Sequence, residues 1–355
     1  MIVDAPDAIA EFLRRDAPMG CLLFHGDALT TLKKFPAFSV DMVMTSPPYW
    51  GQRKYSGDSS LGQEATYPEY VAHLLEIFAE LPRVLRPEGS FWLNLGDTYR
   101  DKNLCGIPWR VALGLQDAGW ILRNSVIWNK VKGSPCNAKD KLRNIHENLF
   151  HFVRQREYYY DVDAIREPPK AAYRKNGRVT TATGVSGSKY ERQIRQSAAL
   201  TPEEREQALA TLEETLEKVE RGELYDFRMI IRGEQRATHS DEAEVSGRAD
   251  ELQKKGFYIL PYHPKGPKPG DVWNVIPEDS WRSDSHYAPF PEQLCEIPIK
   301  ATCPPGGIVL DPFAGTGTAL YVAQRLGRRG VGIDVSREYL EVAEKRLATT
   351  QVMLL

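Results

Sequence analysis

A hydroxyl, two prolines and an aromatic ring directly follow an apolar run at residues 40–45. They are Ser46, Pro47, Pro48 and Tyr49. Because each proline fixes its own φ and lacks an N–H, the strand ends here, and the carbonyls of Ser46 and Pro47 can face a cavity. Acceptors beside an aromatic face suit a flat ring that carries an amino group. The alternative is a strand ending in a proline turn, with Tyr49 and Trp50 packed in the core.

A second group of chemically suited residues spans 311–318 and reads Asp-Pro-Phe-Ala-Gly-Thr-Gly-Thr after an apolar run. A strand, a glycine turn and a helix start form a nucleotide-type pocket, and the acid that ends the next strand, Asp334, is placed for ribose hydroxyls. Leu320 occupies the position where a dinucleotide fingerprint needs glycine or alanine, and no GK[ST] follows to hold a triphosphate.

An acidic turn of this kind favours a nucleoside with a cationic tail over a pyrophosphate, and S-adenosylmethionine is such a ligand. We expect Phe313 to lie against its adenine. The pocket residues predicted from this segment are Asp311, Phe313, Gly315, Gly317 and Thr318. The alternative is that the glycines only permit tight packing of the helix on the strand.

The elements that must position these residues alternate between strand and helix. Apolar runs predict strands at residues 21–25, 40–45, 90–95, 120–128, 146–153, 307–310 and 330–333. Helical periodicity predicts helices within residues 1–19 and at 29–35, 68–84 with a kink or restart at Pro82, 108–117, 319–326 and 336–347. This alternation predicts an α/β fold with a parallel sheet.

Residues 164–270 do not continue the alternation, and we interpret them as an inserted module with a helix that begins at a Thr201 capping box. The predicted division is 1–163 for the half with the amine pocket, 164–270 for the insert and 271–355 for the cofactor half. If the chain ends are joined, four successive strands carry polar residues at their carboxyl ends. Such a circular permutation is physically easy, because the ends of a domain usually lie close together.

The composition excludes several classes of protein. The chain has 355 residues with a net charge of −2, so no global charge marks a polyanion partner, although basic residues outnumber acidic ones between Arg100 and Arg195. The five cysteines form no CxxC pair, and the histidines show no HxxxH or HExxH spacing, which argues against disulfides and a metal site. Without a membrane-length apolar run or a signal-peptide layout, we expect a cytoplasmic location.

The two motifs together resemble the β class of exocyclic-amino DNA methyltransferases, of the restriction–modification type. The segments 271–274 (Asp-Val-Trp-Asn), 286–294 (His-Tyr-Ala-Pro-Phe-Pro-Glu-Gln-Leu) and 332–334 (Gly-Ile-Asp) match as well. The resemblance implies a circularly permuted Rossmann-like sheet, S-adenosylmethionine as methyl donor and the insert as target-recognition module. It also implies that Asp334 binds the ribose, that Asp27 lies near the adenine amino group, and that the segment 286–294, which includes Phe290, lies near the methionine end.

The implied reaction is methylation of a flipped base at its exocyclic nitrogen. Ser46 and the Pro47 carbonyl would accept the two N–H bonds of the amine, and Tyr49 would stack on the base. In the family, serine at the first motif position is typical of cytosine-N4 enzymes, so we favour cytosine over adenine-N6. A cytosine-C5 mechanism using Cys136 is disfavoured, because that cysteine follows a different strand. A non-catalytic binding protein and an RNA or small-molecule methyltransferase remain alternatives.

Double-stranded DNA is the expected partner, and an endonuclease acting on the same site is a possible second one. The DNA contacts predicted from position and charge are Trp50, Arg53, Lys54, Lys130 and Lys132. Monomer and homodimer are both compatible with the sequence, which does not disclose the recognition site.

Overall fold

The structure is a computed structural model, and it describes residues 2–4, 7–14, 17–51, 61–132, 136–168, 172–175, 178–181, 184–233, 247–263, 265–277 and 290–350. The chain divides into two compact units. The first unit combines Met1–Ile165 with Gly270–Leu355, and the second is Arg166–Pro269. Both predicted sites belong to the first unit.

The strands, numbered in chain order, are β1 (Ile2–Val3), β2 (Cys21–His25), β3 (Val40–Thr45), β4 (Leu85–Leu95), β5 (Tyr99–Arg100), β6 (Asn103–Leu104), β7 (Ile121–Asn129), β8 (His146–Val153), β9 (Tyr173–Lys175), β10 (Arg178–Thr180), β11 (Phe227–Ile231), β12 (Phe257–Pro261), β13 (Val272–Asn274), β14 (Ile308–Asp311) and β15 (Arg329–Asp334). The helices are α1 (Asp7–Phe12), α2 (Ala28–Leu32), α3 (Tyr67–Phe78), α4 (Leu81–Val84), α5 (Ile107–Asp117), α6 (Ser188–Gln196), α7 (Pro202–Glu220), α8 (Gly247–Lys255), α9 (Glu292–Thr302), α10 (Thr318–Arg325) and α11 (Arg337–Ala348), with a 3-10 turn at Asp163–Ile165.

One large sheet organises the first unit, with the strand order β1-β2-β15-β14-β3-β4-β8-β7-β13. The four strands β2, β15, β14 and β3 are neighbours and run parallel. Along the chain with its ends joined, these strands would follow one another as β14, β15, β2 and β3; in the sheet β3 instead pairs with β14. Asp27, Asp334, Asp311 and Ser46 all lie at or just beyond the carboxyl ends of these strands, along one edge of the sheet.

The prediction of a wholly parallel sheet is wrong at β8, which pairs antiparallel with both β4 and β7. A parallel neighbour requires a crossover, whereas the segment between β7 and β8 is a loop without a helix in its described part. The chain therefore returns antiparallel. As a result the first residues of β8, rather than its last, lie at the edge that carries the sites.

Apolar side chains cover both faces of the sheet. Along β3, Val40 and Val43 join the apolar layer beneath α3 and α5, while Met42 and Met44 point to the layer beneath α9 and α10. All four are fully buried. The alternation from Met42 to Met44 is what a central strand buried on both faces requires, and the strand register is irregular between Val40 and Met42.

The helix boundaries follow the capping signals in the sequence. The predicted helix at 68–84 is two helices: α3 ends at Phe78, and Pro82 lies in the first turn of α4. A proline in the first turn costs no hydrogen bond, whereas inside a helix it would. Ser336 caps α11 by accepting a hydrogen bond from Tyr339 N at 3.3 Å, as expected.

The second unit has its own small core. Its long helix α7 begins with the predicted capping box between Thr201 and Glu204. Leu212 and Val219 of this helix pack with α6 and with the hairpin of β11 and β12. Although α8 lies between β11 and β12 in the chain, the two strands pair antiparallel, so the described part of this unit does not continue the parallel βα pattern. No described helix in either unit is both long and apolar enough to span a bilayer.

Candidate active site

The end of β3 positions the proline motif. Thr45, the last residue of the strand, is fully buried, and its hydroxyl donates to Asp311 Oδ1 at 2.6 Å. The Pro48 carbonyl accepts from the Tyr70 hydroxyl at 2.7 Å, so this carbonyl faces α3. Ser46 and Tyr49 are partly exposed, and Pro47 is buried. The motif is thus held at its base while two of its side chains reach the surface of the site.

Tyr49 lies at the centre of a polar cluster. Its hydroxyl is 3.2 Å from Ser46 Oγ and donates to Glu147 Oε2 at 2.7 Å. Asn94, on β4, donates from Nδ2 to the same Glu147 oxygen at 3.1 Å and to the Asn148 carbonyl at 3.2 Å. Glu147 and Asn94 are buried, being 9% and 1% exposed. Both bring polar groups into the interior, and burial of such groups costs folding free energy unless they are hydrogen-bonded.

Gly96 leaves room for the tyrosine ring. A Cβ at this position would lie 2.7 Å from Tyr49 Cε2 and 3.3 Å from Glu147 Oε1. Real Cβ atoms do not approach carbon that closely, so a side chain here would have to displace the ring. The sequence after β4 is therefore matched to the position of Tyr49.

Lys130 was predicted to contact DNA phosphates, and the structure places it inside the polar cluster. Its ammonium donates to Glu147 Oε1 and lies 4.9 Å from the centroid of the Trp128 ring. Lys132 is exposed. Arg53 and Lys54 lie outside the described residues.

Trp50 was predicted to contact DNA as well, and its surroundings are those of a core side chain. It is 8% exposed, its indole N–H donates to the Glu64 carbonyl at 2.9 Å, and its ring packs edge-on against Tyr67. Cys136, which we disfavoured as a thiolate nucleophile, is an exposed residue of the loop between β7 and β8. Within the described residues, no cluster of three or more His, Cys, Asp or Glu side chains is arranged to hold a metal ion.

The glycine turn after β14 requires backbone conformations that favour glycine. Gly315 and Gly317 have φ values of 51° and 74°, and Gly317 forms the N-cap of α10. A Cβ on Gly317 would also lie 3.0 Å from the Ala343 side chain. The turn is thus shaped by both glycines, and it presents the N-terminus of a helix to the sheet edge.

Asp334, at the end of β15, organises this turn. Its Oδ2 accepts from Gly315 N and its Oδ1 from Ser336 N, both at 2.8 Å. Burial raises the pKa of Asp334, and the two backbone hydrogen bonds oppose that rise. A carboxylate oxygen has more than one lone pair, so Asp334 can still accept from a ligand hydroxyl.

Asp311 is fully buried at the end of β14. Oδ1 accepts from Thr45 and from Phe313 N, and Oδ2 has no hydrogen-bond partner among the described residues. Burial raises the pKa of this carboxyl to about 7, and the hydrogen bond from Thr45 acts in the opposite direction. An acid in this setting changes charge near neutral pH, and it would stabilise a positive charge placed beside it.

The other predicted cofactor residues lie along the same edge or close to it. Asp27 is exposed and caps α2, its Oδ1 accepting from Thr30 N at 2.8 Å. Phe313 is partly buried with its ring edge-on to Phe78. Phe290 packs partly buried against the layer beneath α9. The Thr318 hydroxyl accepts from Arg346 Nη1 at 3.0 Å, so its oxygen already has a protein donor.

Comparison with known proteins identifies the family. Residues 40–345 match the N6/N4 methyltransferase family, described as DNA methylase. The chain belongs to this family. The resemblance seen in its two motifs is thereby confirmed, and the α/β fold class agrees with it.

Individual relatives fall on both sides of the choice of base. Type II methyltransferase M.SfiI of Streptomyces fimbriatus is 32% identical over 90% of this chain and 89% of its own length. DNA adenine methyltransferase YhdJ of Escherichia coli (strain K12) is 25% identical over 92% and 82%. The solved PvuII DNA methyltransferase (cytosine-N4-specific) superposes with a TM-score of 0.58, 17% identity and coverage of 94% and 88%.

Two members of the polar cluster around Tyr49, Glu147 and Asn94, were missed by sequence reasoning. Glu147 was assigned to a parallel strand, which would have placed it far from the proline motif, and Asn94 was read as part of an apolar strand. The sequence signal that could have identified them is a polar residue inside a strand whose other residues are expected to be buried. Buried acids and amides need partners, and here each provides one for the other.

Proposed function

We propose that this N6/N4 methylase transfers a methyl group from S-adenosylmethionine to the exocyclic N4 of a cytosine that is flipped out of duplex DNA. The observation that carries the proposal is the hydrogen bond from Thr45 to Asp311. It joins the ends of β3 and β14, so the amine acceptors of Ser46 and Pro47 stand beside the glycine turn. A methyl donor and an amine must meet at such a junction.

The residues of the turn fit the proposed donor. Asp334 has acceptor capacity for ribose hydroxyls, and Asp311 offers a buried carboxyl to a cationic tail. When bound, S-adenosylmethionine supplies an electrophilic methyl group on a positively charged sulfur. The further residues that we propose for this pocket are Asp27, Phe290, Phe313, Gly315, Gly317 and Thr318.

The chain's own contribution to the reaction is to orient the amine. That nitrogen is a poor nucleophile, because its lone pair is delocalised into the ring. Acceptance of both N–H bonds by Ser46 and the Pro47 carbonyl favours a tetrahedral nitrogen with its lone pair available. S-adenosylmethionine held by Asp311 and Asp334 would supply the methyl group to this lone pair and would leave as the neutral thioether, and the methylated nitrogen would release one proton to water. Positioning of this kind is worth about 7–11 kcal/mol.

Tyr49 is proposed to stack on the flipped base, which recovers roughly 1–3 kcal/mol of the unstacking cost. The second unit, with Lys132, Arg53 and Lys54, is proposed to hold the duplex. A cognate endonuclease is a further proposed partner, supported by the type II name of M.SfiI. These assignments rest on the family and on position in the chain.

The target base follows from serine at the first motif position, and the cytosine-N4-specific name of the PvuII relative supports it. Adenine-N6 is the second candidate, because YhdJ is named an adenine methyltransferase. Labelled S-adenosylmethionine, incubated with DNA and separately with total RNA from a methylation-deficient host and followed by nucleoside mass analysis, decides between them. N4-methylcytosine supports the proposal, N6-methyladenine overturns the choice of base, and label in RNA alone overturns DNA as substrate.

A further inference from the structure

A continuous series of polar contacts connects the proline motif to the partly buried ion pair of Glu147 and Lys130. Ser46 Oγ lies 3.2 Å from Tyr49 Oη, and that hydroxyl lies 2.7 Å from Glu147 Oε2. Lys130 donates to the other oxygen of Glu147. All four side chains belong to the first unit. The chain therefore runs from the proposed substrate acceptor to a carboxylate with its own cation.

The carboxylate fixes the direction of every hydrogen bond in this chain. Both of its oxygens accept, Oε1 from the Lys130 ammonium and Oε2 from the Asn94 amide at 3.1 Å. A carboxylate in this state has no proton to donate, so Tyr49 must be the donor. A tyrosine hydroxyl has one proton, and the charged acceptor at 2.7 Å takes it in preference to Asn94 Oδ1 at 3.3 Å.

The direction then propagates to Ser46. With its proton committed to Glu147, Tyr49 Oη can only accept at its contact with Ser46, so the Ser46 hydroxyl points its proton at Tyr49. The lone pairs of Ser46 are left for the substrate side. Hydrogen bonds in such a chain polarise one another, which makes Ser46 a stronger acceptor than an isolated serine.

We propose that Glu147 is a positioning residue that makes Ser46 an obligate acceptor for the amine of the target base. The inference rests on the proposed function, because it concerns how that pocket recognises an amino group. Lys130 keeps the buried carboxylate compensated, and Asn94 holds its orientation. Without this polarity Ser46 could turn its proton toward the substrate, which would present a donor to an N–H bond.

The test uses Glu147→Gln, Tyr49→Phe and the double variant in the full chain. The glutamine can donate as well as accept. The phenylalanine keeps the ring but removes the hydroxyl that links Ser46 to Glu147. We expect each single variant to reduce single-turnover methyl transfer to duplex DNA about 10- to 100-fold, as for a lost hydrogen bond to a charged group. The double variant should be no slower than the slower single variant, because both changes interrupt the same series of hydrogen bonds.

Three controls distinguish a change in the hydrogen-bond direction at Ser46 from a general loss of folded structure. The dissociation constant for S-adenosylmethionine and the thermal midpoint should stay near the wild-type values in Glu147→Gln, and Glu147→Asp should recover part of the rate. A Glu147→Gln enzyme at the wild-type rate overturns the inference while the proposed function stands. Multiplicative losses in the double variant overturn it as well. A wild-type enzyme that binds the donor but methylates no DNA overturns the proposed function, and this inference with it.

Discussion

Thr45 Oγ1 donates to Asp311 Oδ1 at 2.6 Å, although the two residues are 266 positions apart in the chain. Each is the last residue of its strand, and β3 and β14 are paired in parallel. The bond therefore joins the two motifs from which the family was inferred. Both residues are fully buried, so neither group can form a hydrogen bond with water if this bond breaks.

Replacing Thr45 with valine removes the hydroxyl at nearly constant volume. Asp311 Oδ1 then keeps the Phe313 N–H but loses its closest donor. We expect the free energy of unfolding to fall by about 1–3 kcal/mol, the usual cost of depriving a buried polar group of its partner. Urea denaturation measures this loss, and Thr45→Ser, which keeps the hydroxyl, should lose distinctly less. Equal losses in both variants would show that the hydrogen bond is not the cause.

Asp311→Asn is expected to stabilise the ligand-free protein at alkaline pH. The pKa of Asp311 is raised to about 7 in the folded state from 3.8, so folding binds a proton between these values and stability falls as the pH rises. Each pH unit across this window costs about 1.4 kcal/mol. The variant should therefore gain more in thermal midpoint at pH 8 than at pH 4.

The same change should weaken binding of S-adenosylmethionine at pH 8, where the wild-type carboxyl is charged and the asparagine is not. S-adenosylhomocysteine, whose sulfur is neutral, should be affected less. Titration calorimetry of both ligands at pH 8 measures the difference. In the stability experiment, a difference in thermal midpoint between Asp311→Asn and the wild type that is the same at pH 4 and pH 8 would contradict the titration assigned to Asp311.

Asp334→Asn is expected to weaken S-adenosylmethionine about 10- to 100-fold. The carboxylate accepts from two backbone N–H groups, and an amide group can accept from only one of them while its NH₂ faces the other. Glu341→Gln is the matched control, because this exposed acid lies on the following helix and is paired only loosely with Arg337 at 3.8 Å. Equal affinities of the two variants for S-adenosylmethionine would show that Asp334 does not bind this ligand.

Gly96→Ala tests the position of Tyr49 without touching the motif itself. The added Cβ would lie 2.7 Å from the tyrosine ring, so the ring must move. We expect methyl transfer to fall by at least tenfold while donor affinity is retained. Gly270→Ala is the control, since a Cβ there meets nothing within 4 Å and the residue does not have a positive φ. A fully active Gly96→Ala enzyme would show that the ring position is not critical.

The sequence was sufficient to predict which strands carry polar residues at their carboxyl ends, although not the order of those strands in the sheet. Asp27, Asp311 and Asp334 could be placed because parallel strands bring their carboxyl ends together, whatever the rest of the fold. Glu147 could not be placed in the same way. Its position depends on the direction of β8, and strand direction is set by the connection and by tertiary pairing rather than by the apolar pattern.

Trp50 illustrates a second limit. Its place in the motif suggested a surface role, yet its indole N–H and its ring both find partners inside the protein. Tryptophan has a large apolar surface with one polar atom, so its sequence neighbours do not decide whether it faces a ligand or the core. The partners that place Trp50 in the core are Glu64 and Tyr67, which lie outside the motif.

The central claim is that Ser46 contacts the reacting amine. It is tested by comparing the wild type with Ser46→Ala in two measurements on the same preparations: methyl transfer from labelled S-adenosylmethionine to duplex DNA, and the dissociation constant for that donor. We predict a loss of transfer of roughly 100-fold or more, with a dissociation constant within about twofold of the wild type. Full methyl transfer by Ser46→Ala would contradict the account.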